Sequence, residues 1–409
     1  MTESGAALRS RRGMYGLLGA NTLSLGGTRL SQLAIPWFVI STTGSATQTG
    51  LVAFALMGPY VVAKGLGGPV IDRVGPRRVI VVAELAAAAT VVTIPVLHLF
   101  GLLDVGVLLG VVAVLGALTG PADGAKGALV PVVATRAGVP LERVTGLYGM
   151  IERLATTVGA GGAGALVAWI GAIPALWVTA ATFSAAAVII AWTAPRSDAG
   201  SDDEPSGYLR RLAVGLGFIR DDRLLRSIYV MVAVTNLLDA AAFQVLLPVW
   251  AHDTGAGPAV IGLLSAILGG AAVVSSALAA AVGERMPRRL TYLVGFLVAG
   301  PPRFVILAMD APLWSIIAVF LLAGFGSGFL NPILGAVIFE RIPAQLVGRV
   351  TTMGSTIAWS GIPFGGLVGG GLVAAAGISG AWLLCGVAYL VATTLPGLQR
   401  EWAEMDRAR

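Results

Sequence analysis

Apolar stretches of bilayer-spanning length follow one another along nearly the whole chain, and this narrows its possible folds more than any other feature. They fall at roughly 14–40, 50–71, 79–99, 103–133, 146–170, 173–193, 227–250, 258–282, 290–308, 313–339, 350–375 and 379–398. A helix needs about 20 apolar residues to cross the hydrocarbon core of a membrane, so the pattern predicts twelve crossings. Inside lipid each segment must satisfy its own backbone N–H and C=O groups, which favours helices. The expected fold class is therefore an all-α polytopic membrane protein with twelve transmembrane helices. Composition agrees, because only 12% of the 409 residues are charged and 56% are apolar, whereas soluble domains carry about twice that charge. Mean hydropathy is +0.86. Little chain remains for a soluble domain.

The charges give an orientation. Short connections rich in Lys and Arg stay in the cytoplasm, and those around 41–49, 100–103, 171–174, 251–257, 309–312 and 376–378 contain neither. Of 27 basic residues, Arg29, Lys64, Lys126, Arg153 and Arg303 fall inside spans and the others lie on the opposite side, which predicts cytoplasmic termini and a plasma-membrane, multi-pass protein. The net charge of +6 then serves orientation, and nucleic-acid binding is excluded as its explanation. Residues 1–12 are polar and basic, and the apolar run after them exceeds a signal-peptide core, so it reads as an uncleaved first span. A single cysteine, Cys385, excludes disulfides within the chain. With only His98 and His252 beside it no metal cluster can be assembled, and no cofactor is called for.

The longest connection separates two halves. It begins at Pro195 with an acidic stretch (Asp198, Asp202, Asp203, Glu204) too poor in apolar residues to fold. It continues with Leu209, Leu212, Leu216 and Ile219 at spacings of three and four, as in an amphipathic helix at the membrane surface. The expected division is residues 1–193, a cytoplasmic linker 194–226, and residues 227–409. Internal repetition supports it: Arg143-Val144-Thr145 recurs as Arg349-Val350-Thr351, and Pro76-Arg77-Arg78 as Pro287-Arg288-Arg289. A six-span unit keeps its orientation when copied, so the repeats are parallel, related by an axis along the membrane normal.

Between the second and third stretches lies Gly68-Pro69-Val70-Ile71-Asp72-Arg73-Val74-Gly75-Pro76-Arg77-Arg78. Glycine lets two helices approach, aspartate can face the positive end of a helix, and arginines hold the loop in the cytoplasm. A bare cytoplasmic loop is the plainer reading. The run resembles the signature loop G-x-L-a-D-r-x-G-r-k of the major facilitator superfamily. That resemblance implies the major facilitator fold and a cytoplasmic gate built on Gly68, Asp72, Arg73, Gly75, Arg77 and Arg78, with Asp72 meeting the start of span eleven near 348–352. The counterpart Gly283-Glu284-Arg285-Met286-Pro287-Arg288-Arg289 lacks the aspartate, so one half carries the full latch. Ser24 and Gly27, followed by Ala34-Ile35-Pro36-Trp37 and Thr43-Gly44-Ser45, are similar to the drug:proton antiporter-3 branch, which includes macrolide, tetracycline and siderophore exporters. Two departures stand out. Residues 112–120 lack the arginine of many proton antiporters, and the Gly-Pro of exporter span five is replaced by Gly159-Ala160.

Charges inside spans are the candidate functional residues, since each costs roughly 2.5–3.5 kcal/mol at a helix centre unless paired or hydrated. Arg29 in span one and Asp239 in span seven both fall near mid-membrane, and the resemblance, which makes these spans symmetry mates lining a central cavity, leaves a contact between them open as one reading. Asn21, Thr28 and Gln32 extend a polar stripe beside Arg29, as Asn236 and Gln244 do beside Asp239, giving the candidate substrate lining. A second group, Lys64, Asp123, Lys126, Glu152 and Arg153, lies toward the cytoplasmic side. It forms either gate ion pairs or a titrating site in which Asp123 or Glu152 takes up a proton. Arg303 follows Pro301-Pro302 in a peripheral span and is expected to snorkel outward. Gly361, Gly365 and Gly369 in span eleven, like Gly159 in span five, offer a narrow face for a neighbouring backbone, as a sliding surface or as static packing.

These features describe a secondary transporter, not an enzyme. The expected activity is proton-coupled efflux of a small amphipathic drug or metabolite by a monomer, with small-molecule substrate, protons and lipid as partners. Asp239, then Asp123, then Glu152 are the candidate proton carriers. Uptake of a polar nutrient and a non-transporting membrane sensor remain the alternatives.

Overall fold

The computed structural model describes residues 11–195, 205–282, 286–309, 311–343 and 346–406, and every regular element among them is helical. The order is α1 Arg12–Thr43, α2 Ala46–Leu66, α3 Gly68–Val74, α4 Pro76–Leu99, α5 Val105–Ala137, α6 Leu141–Ile170, α7 Ala172–Thr193 and α8 Pro205–Asp221. There follow α9 Arg223–Ala241, α10 Leu247–Asp253, α11 Gly257–Val282, α12 Arg288–Ala299, α13 Pro301–Ala308, α14 Leu313–Gly328, α15 Leu330–Arg341, α16 Val347–Ser360 and α17 Ile362–Leu398. A π-helical turn, Ala242–Leu246, joins α9 to α10, and a 3₁₀ turn, Arg400–Asp406, follows α17. Nine segments of the described residues are long and apolar enough to cross a membrane. The acidic run 198–204, the segment Gly283-Glu284-Arg285 and residues 1–10 lie outside the described residues.

The helices outrun the apolar stretches that announce them. Beyond the hydrocarbon a helix still satisfies its own backbone, so charged residues do not end it; caps do. Asp104 starts α5 by accepting a hydrogen bond from the Val107 N–H at 2.8 Å, and Gly138 ends it at a φ of 62°. The last two stretches run together in α17, interrupted at Gly377, whose φ of 69° a β-carbon would disfavour.

Two compact units emerge. Unit 1 comprises Met1–Ala34, Ala55–Gly159 and Trp169–Asp202; unit 2 comprises Ile35–Phe54, Ala160–Ala168 and Asp203–Arg409. In unit 1, α4 packs against α5 and α7, and Leu17, Ile80, Leu129, Val133 and Ile190 close the core around it. In unit 2, α17 packs along α9, α13 lies against α17, and α11 against α14. The buried face of α8 rests on α16, with Gly215 against the Arg349 backbone and Ile219 packed with Leu225 and Val350. Trp402 of the terminal turn is buried and donates to Ser227 at 3.1 Å, while Arg341 joins Asp222 and Glu404, tying the end of the chain to α9 and α15. Large apolar side chains such as Trp169, Trp192 and Trp314 remain exposed, the inverse of a soluble surface and the face that lipid requires.

Candidate functional site

Lys126 of α5 is fully buried in unit 1, at 1% exposure, and a charge there is tolerable only with partners. It has three. Its ammonium lies 2.9 Å from Glu84 of α4 and 2.9 Å from Asp123 one turn back on α5, and it donates to the Ser24 hydroxyl of α1 at 2.6 Å. Those contacts use all three of its N–H donors. The Ser24 hydroxyl donates in turn to Glu84 Oε1 at 2.6 Å. On the far side Tyr60 of α2 donates to Asp123 Oδ2 at 2.8 Å and accepts from Lys64 at 3.1 Å. Four helices thus meet in one chain of polar contacts running Lys64, Tyr60, Asp123, Lys126, Ser24, Glu84.

Glu84 does not figure in the sequence reading, and its signal was present. It shares a buried stripe with Ala87, Ala88 and Val91, the three- and four-residue spacing of a helix face turned inward. Arg153, grouped from sequence with Lys64, Asp123 and Lys126, lies exposed on α6 beside Glu152, which is also exposed. Glu84 on α4, not Arg153, completes the ion cluster around Lys126.

Above the cluster in the sequence of α1, Arg29 donates to Gln32 at 3.0 Å and to Thr156 of α6 at 3.0 Å. A β-carbon on Gly159 would touch the Arg29 stem at 3.6 Å, so this glycine leaves room beside the arginine. Asn21 is buried, with its Nδ2 lacking a hydrogen-bond partner among the described residues. A small cavity of about 10 Å³ lies beside these groups, bordered by Thr28, Ser31, Gln32, Tyr60 and Thr119.

Unit 2 is organised differently. Asp239, near the end of α9, is paired with Arg303 of α13, whose side chain is 7% exposed against 35% for Asp239. The guanidinium lies over three rings, Phe304 at 4.9 Å, Tyr389 at 5.2 Å and Phe243 at 5.9 Å. Arginine's planar, weakly hydrated cation suits such faces. Here the structure corrects one expectation: Arg303 does not snorkel but is buried, and it supplies the countercharge of Asp239. Spans nine and seven are brought together by packing on α17, which the linear pattern does not encode. Asn236 donates to the Ala358 carbonyl at 2.9 Å, and Gln244 lies in the π-helical turn with Oε1 buried and unpartnered among the described residues.

The glycines of span eleven account for this close packing. A β-carbon on Gly361 would stand 2.7 Å from the Ala233 carbonyl, on Gly365 2.7 Å from that of Leu237, and on Gly369 3.1 Å from Val245. The stripe therefore seats α16 and α17 against α9 and the π-helical turn, on residues that flank Asp239 in the chain. In the loop motif, Gly68 opens α3, Asp72 and Arg73 are exposed, and Gly75 turns the chain into α4 at a φ of 88°. Arg77 donates to the Ala191 carbonyl, fixing the start of α4 against the end of α7, and Arg78 is exposed.

Apolar helices of bilayer-spanning length that bury a few charged residues describe a polytopic membrane protein. The sequence profile of the Major Facilitator Superfamily matches residues 17–238 and again 229–399, so the chain belongs to that superfamily. The multidrug efflux pump Tap of Mycobacterium tuberculosis (strain ATCC 25618 / H37Rv) is 32% identical over 402 residues, spanning 96% of this chain and 94% of its own. Tap of Mycolicibacterium fortuitum is 33% identical over 396 residues, spanning 93% and 94%. Among solved structures, the nucleoside transporter NupG matches with a TM-score of 0.72 at 13% identity over 95% of this chain and 98% of that one. A bacterial homolog of the human lysosomal transporter Spinster matches at 0.69 and 15% identity, over 99% and 98%. At such identity these two establish the fold alone. The chain is a multi-pass transporter of the inner (plasma) membrane, not an enzyme.

Proposed function

We propose that this transporter exports small amphipathic compounds by alternating access, driven by proton entry. The similarity to Tap along nearly the full chain supports export, and the ion pair Asp239–Arg303 in the membrane interior is the observation that carries the coupling. An aspartate in such a place has two stable forms: ionised against Arg303, or protonated and released from it. Switching between them changes the charge of the unit 2 interior by one and can be tied to substrate occupancy. Asp123 and Glu152 follow as carriers. Arg29, Asn21, Gln32, Asn236 and Gln244 are the polar groups proposed to meet substrate, and Gly68, Asp72, Arg73, Gly75, Arg77 and Arg78 the cytoplasmic gate.

Twelve crossings with cytoplasmic termini are supported by adding α1 and α6 to the nine apolar segments, by counting the two arms of α17 about Gly377 separately, and by the uneven distribution of Lys and Arg. Two six-helix halves, 1–193 and 227–409, joined by the linker 194–226, are supported by the internal repeats and the twofold profile match. A monomer suffices for this cycle. One proton crossing 100 mV supplies about 2.3 kcal/mol, and a pH unit about 1.4 more, enough for several-hundredfold accumulation.

Ethidium efflux from cells expressing the wild type or Asp239→Asn, with and without an uncoupler, tests this reading. Uncoupler-sensitive efflux that Asp239→Asn abolishes is expected; equal efflux by both proteins removes Asp239 from coupling. Accumulation in right-side-out rather than inverted vesicles would reverse the direction to uptake.

A further inference from the structure

Lys126 and Arg303 each face a carboxylate, and Arg29 does not. Arg29 is half-buried on α1, and among the described residues no carboxylate stands within ion-pair distance of it. Neutral groups hold its guanidinium instead: Nη1 donates to Gln32 Oε1 and Nη2 to Thr156 Oγ1, both at 3.0 Å. Nε is buried and has no hydrogen-bond partner among the described residues. A guanidinium has five N–H donors, so these contacts leave part of the fork unused. A cation withdrawn from water without a countercharge is costly, and the planar fork matches a carboxylate two bonds at a time.

A carboxylate without a cation lies on the same wall of unit 1. Glu152 of α6 is exposed, and among the described residues no cation stands within ion-pair distance of it. Thr156, which accepts from Arg29, follows Glu152 by one helical turn, donates to its backbone carbonyl at 2.9 Å and is exposed as well. Residues four apart share a helix face, so Glu152 and the Arg29 contact lie side by side. An exposed carboxylate within a crossing faces water, because acyl chains exclude it. Gly159 keeps the adjoining space open, since a β-carbon there would touch the Arg29 stem at 3.6 Å. The neighbouring charges are otherwise placed: Asp123 holds Lys126 and Tyr60, Lys64 donates to Tyr60, and Arg153 is exposed about 100° around α6 from Glu152.

The geometry points to a recognition site for zwitterions: Arg29 takes the carboxylate of an amphipathic substrate, and Glu152 takes its ammonium. The wall offers one unpaired charge of each sign, so a zwitterion satisfies both and adds no net charge to the membrane interior. A compound with only one of the two groups leaves Arg29 or Glu152 bare. The proposal rests on the export reading and narrows its substrate class. Glu152 keeps its place among the candidate carriers, since one carboxylate holds an ammonium or a proton but not both.

The test is equilibrium binding of three fluorescent probes to the purified full-length protein in detergent. Norfloxacin carries a carboxylate and an ammonium on one flat apolar body; its methyl ester keeps only the ammonium, and its N-acetyl derivative only the carboxylate. The wild type is expected to bind norfloxacin about tenfold or more tighter than either derivative, the scale of one charge-assisted contact. Arg29→Gln should bind norfloxacin no more tightly than the ester, Arg29→Lys should recover part of the difference, and Glu152→Gln should bind norfloxacin no more tightly than the N-acetyl derivative. An Arg29 that is merely structural would weaken all three probes alike in Arg29→Gln. Should the variants fail to fold, the wild-type ratios decide alone. Equal affinity of the wild type for norfloxacin and its ester, a preference for the acid that survives Arg29→Gln, or no saturable binding of any probe overturns the proposal. Paired ethidium efflux by the wild type separates the two readings: uncoupler-sensitive efflux without the norfloxacin preference sinks the zwitterion site alone, and the preference without efflux sinks export alone.

Discussion

Unit 1 spreads its buried charge over a branched network, with Lys126 donating to three acceptors and hydroxyls of Ser24 and Tyr60 filling the gaps. Unit 2 holds its most deeply buried cation, Arg303, against one anion, Asp239, packed among aromatic rings. The difference is one of hydrogen-bond dependence. An ammonium is a compact point charge whose three donors must all be used, so its site needs oxygen atoms from several helices. A guanidinium can spend its faces on rings and keep a single anion. The first arrangement has alternative partners within reach; the second is a two-state contact.

The largest expected effect tests the hub. Lys126→Met should lower stability by about 3–5 kcal/mol, as removal of one member of a buried ion pair does, read from thermal unfolding in detergent. Adding Asp123→Asn should recover only part, because Ser24 and Glu84 still lack their donor. Arg303→Met should cost somewhat less, about 3 kcal/mol, since Asp239 is a third exposed and keeps some solvation. In that case Asp239→Asn should restore nearly all of the stability while transport stays lost. Equal recovery in the two double variants would erase the distinction between network and pair.

A third substitution reaches the pair through its scaffold. Gly365→Val places a side chain against the Leu237 carbonyl and Ala240, and overpacking of this kind costs about 1–3 kcal/mol. Efflux should fall more than the amount of folded protein, because α9 is displaced next to Asp239. An unchanged efflux rate per folded molecule would reduce the glycine stripe to passive packing. The smallest effect belongs to Tyr60→Phe, which removes the hydrogen bond to Asp123 and the acceptor for Lys64, together worth at most about 2 kcal/mol. A loss well beyond that value would mean that the tyrosine also positions Lys64 toward Asp123.

Much of this molecule can be read from the order of its residues. A run of some twenty apolar residues has one stable solution in lipid, so helix positions follow directly, and a charge inside such a run is too costly to be incidental. Arg29, Asp239, Asp123 and Lys126 were visible for that reason. Partnership was not. Glu84 meets Lys126 and Arg303 meets Asp239 because α4 turns one face to α5, and because α13 and α9 both pack on α17. Hydropathy records how deep a residue sits in a helix, whereas its partner depends on azimuth and on which helices are neighbours. Those are settled by side-chain packing between segments far apart in the chain, and only the tertiary structure decides them.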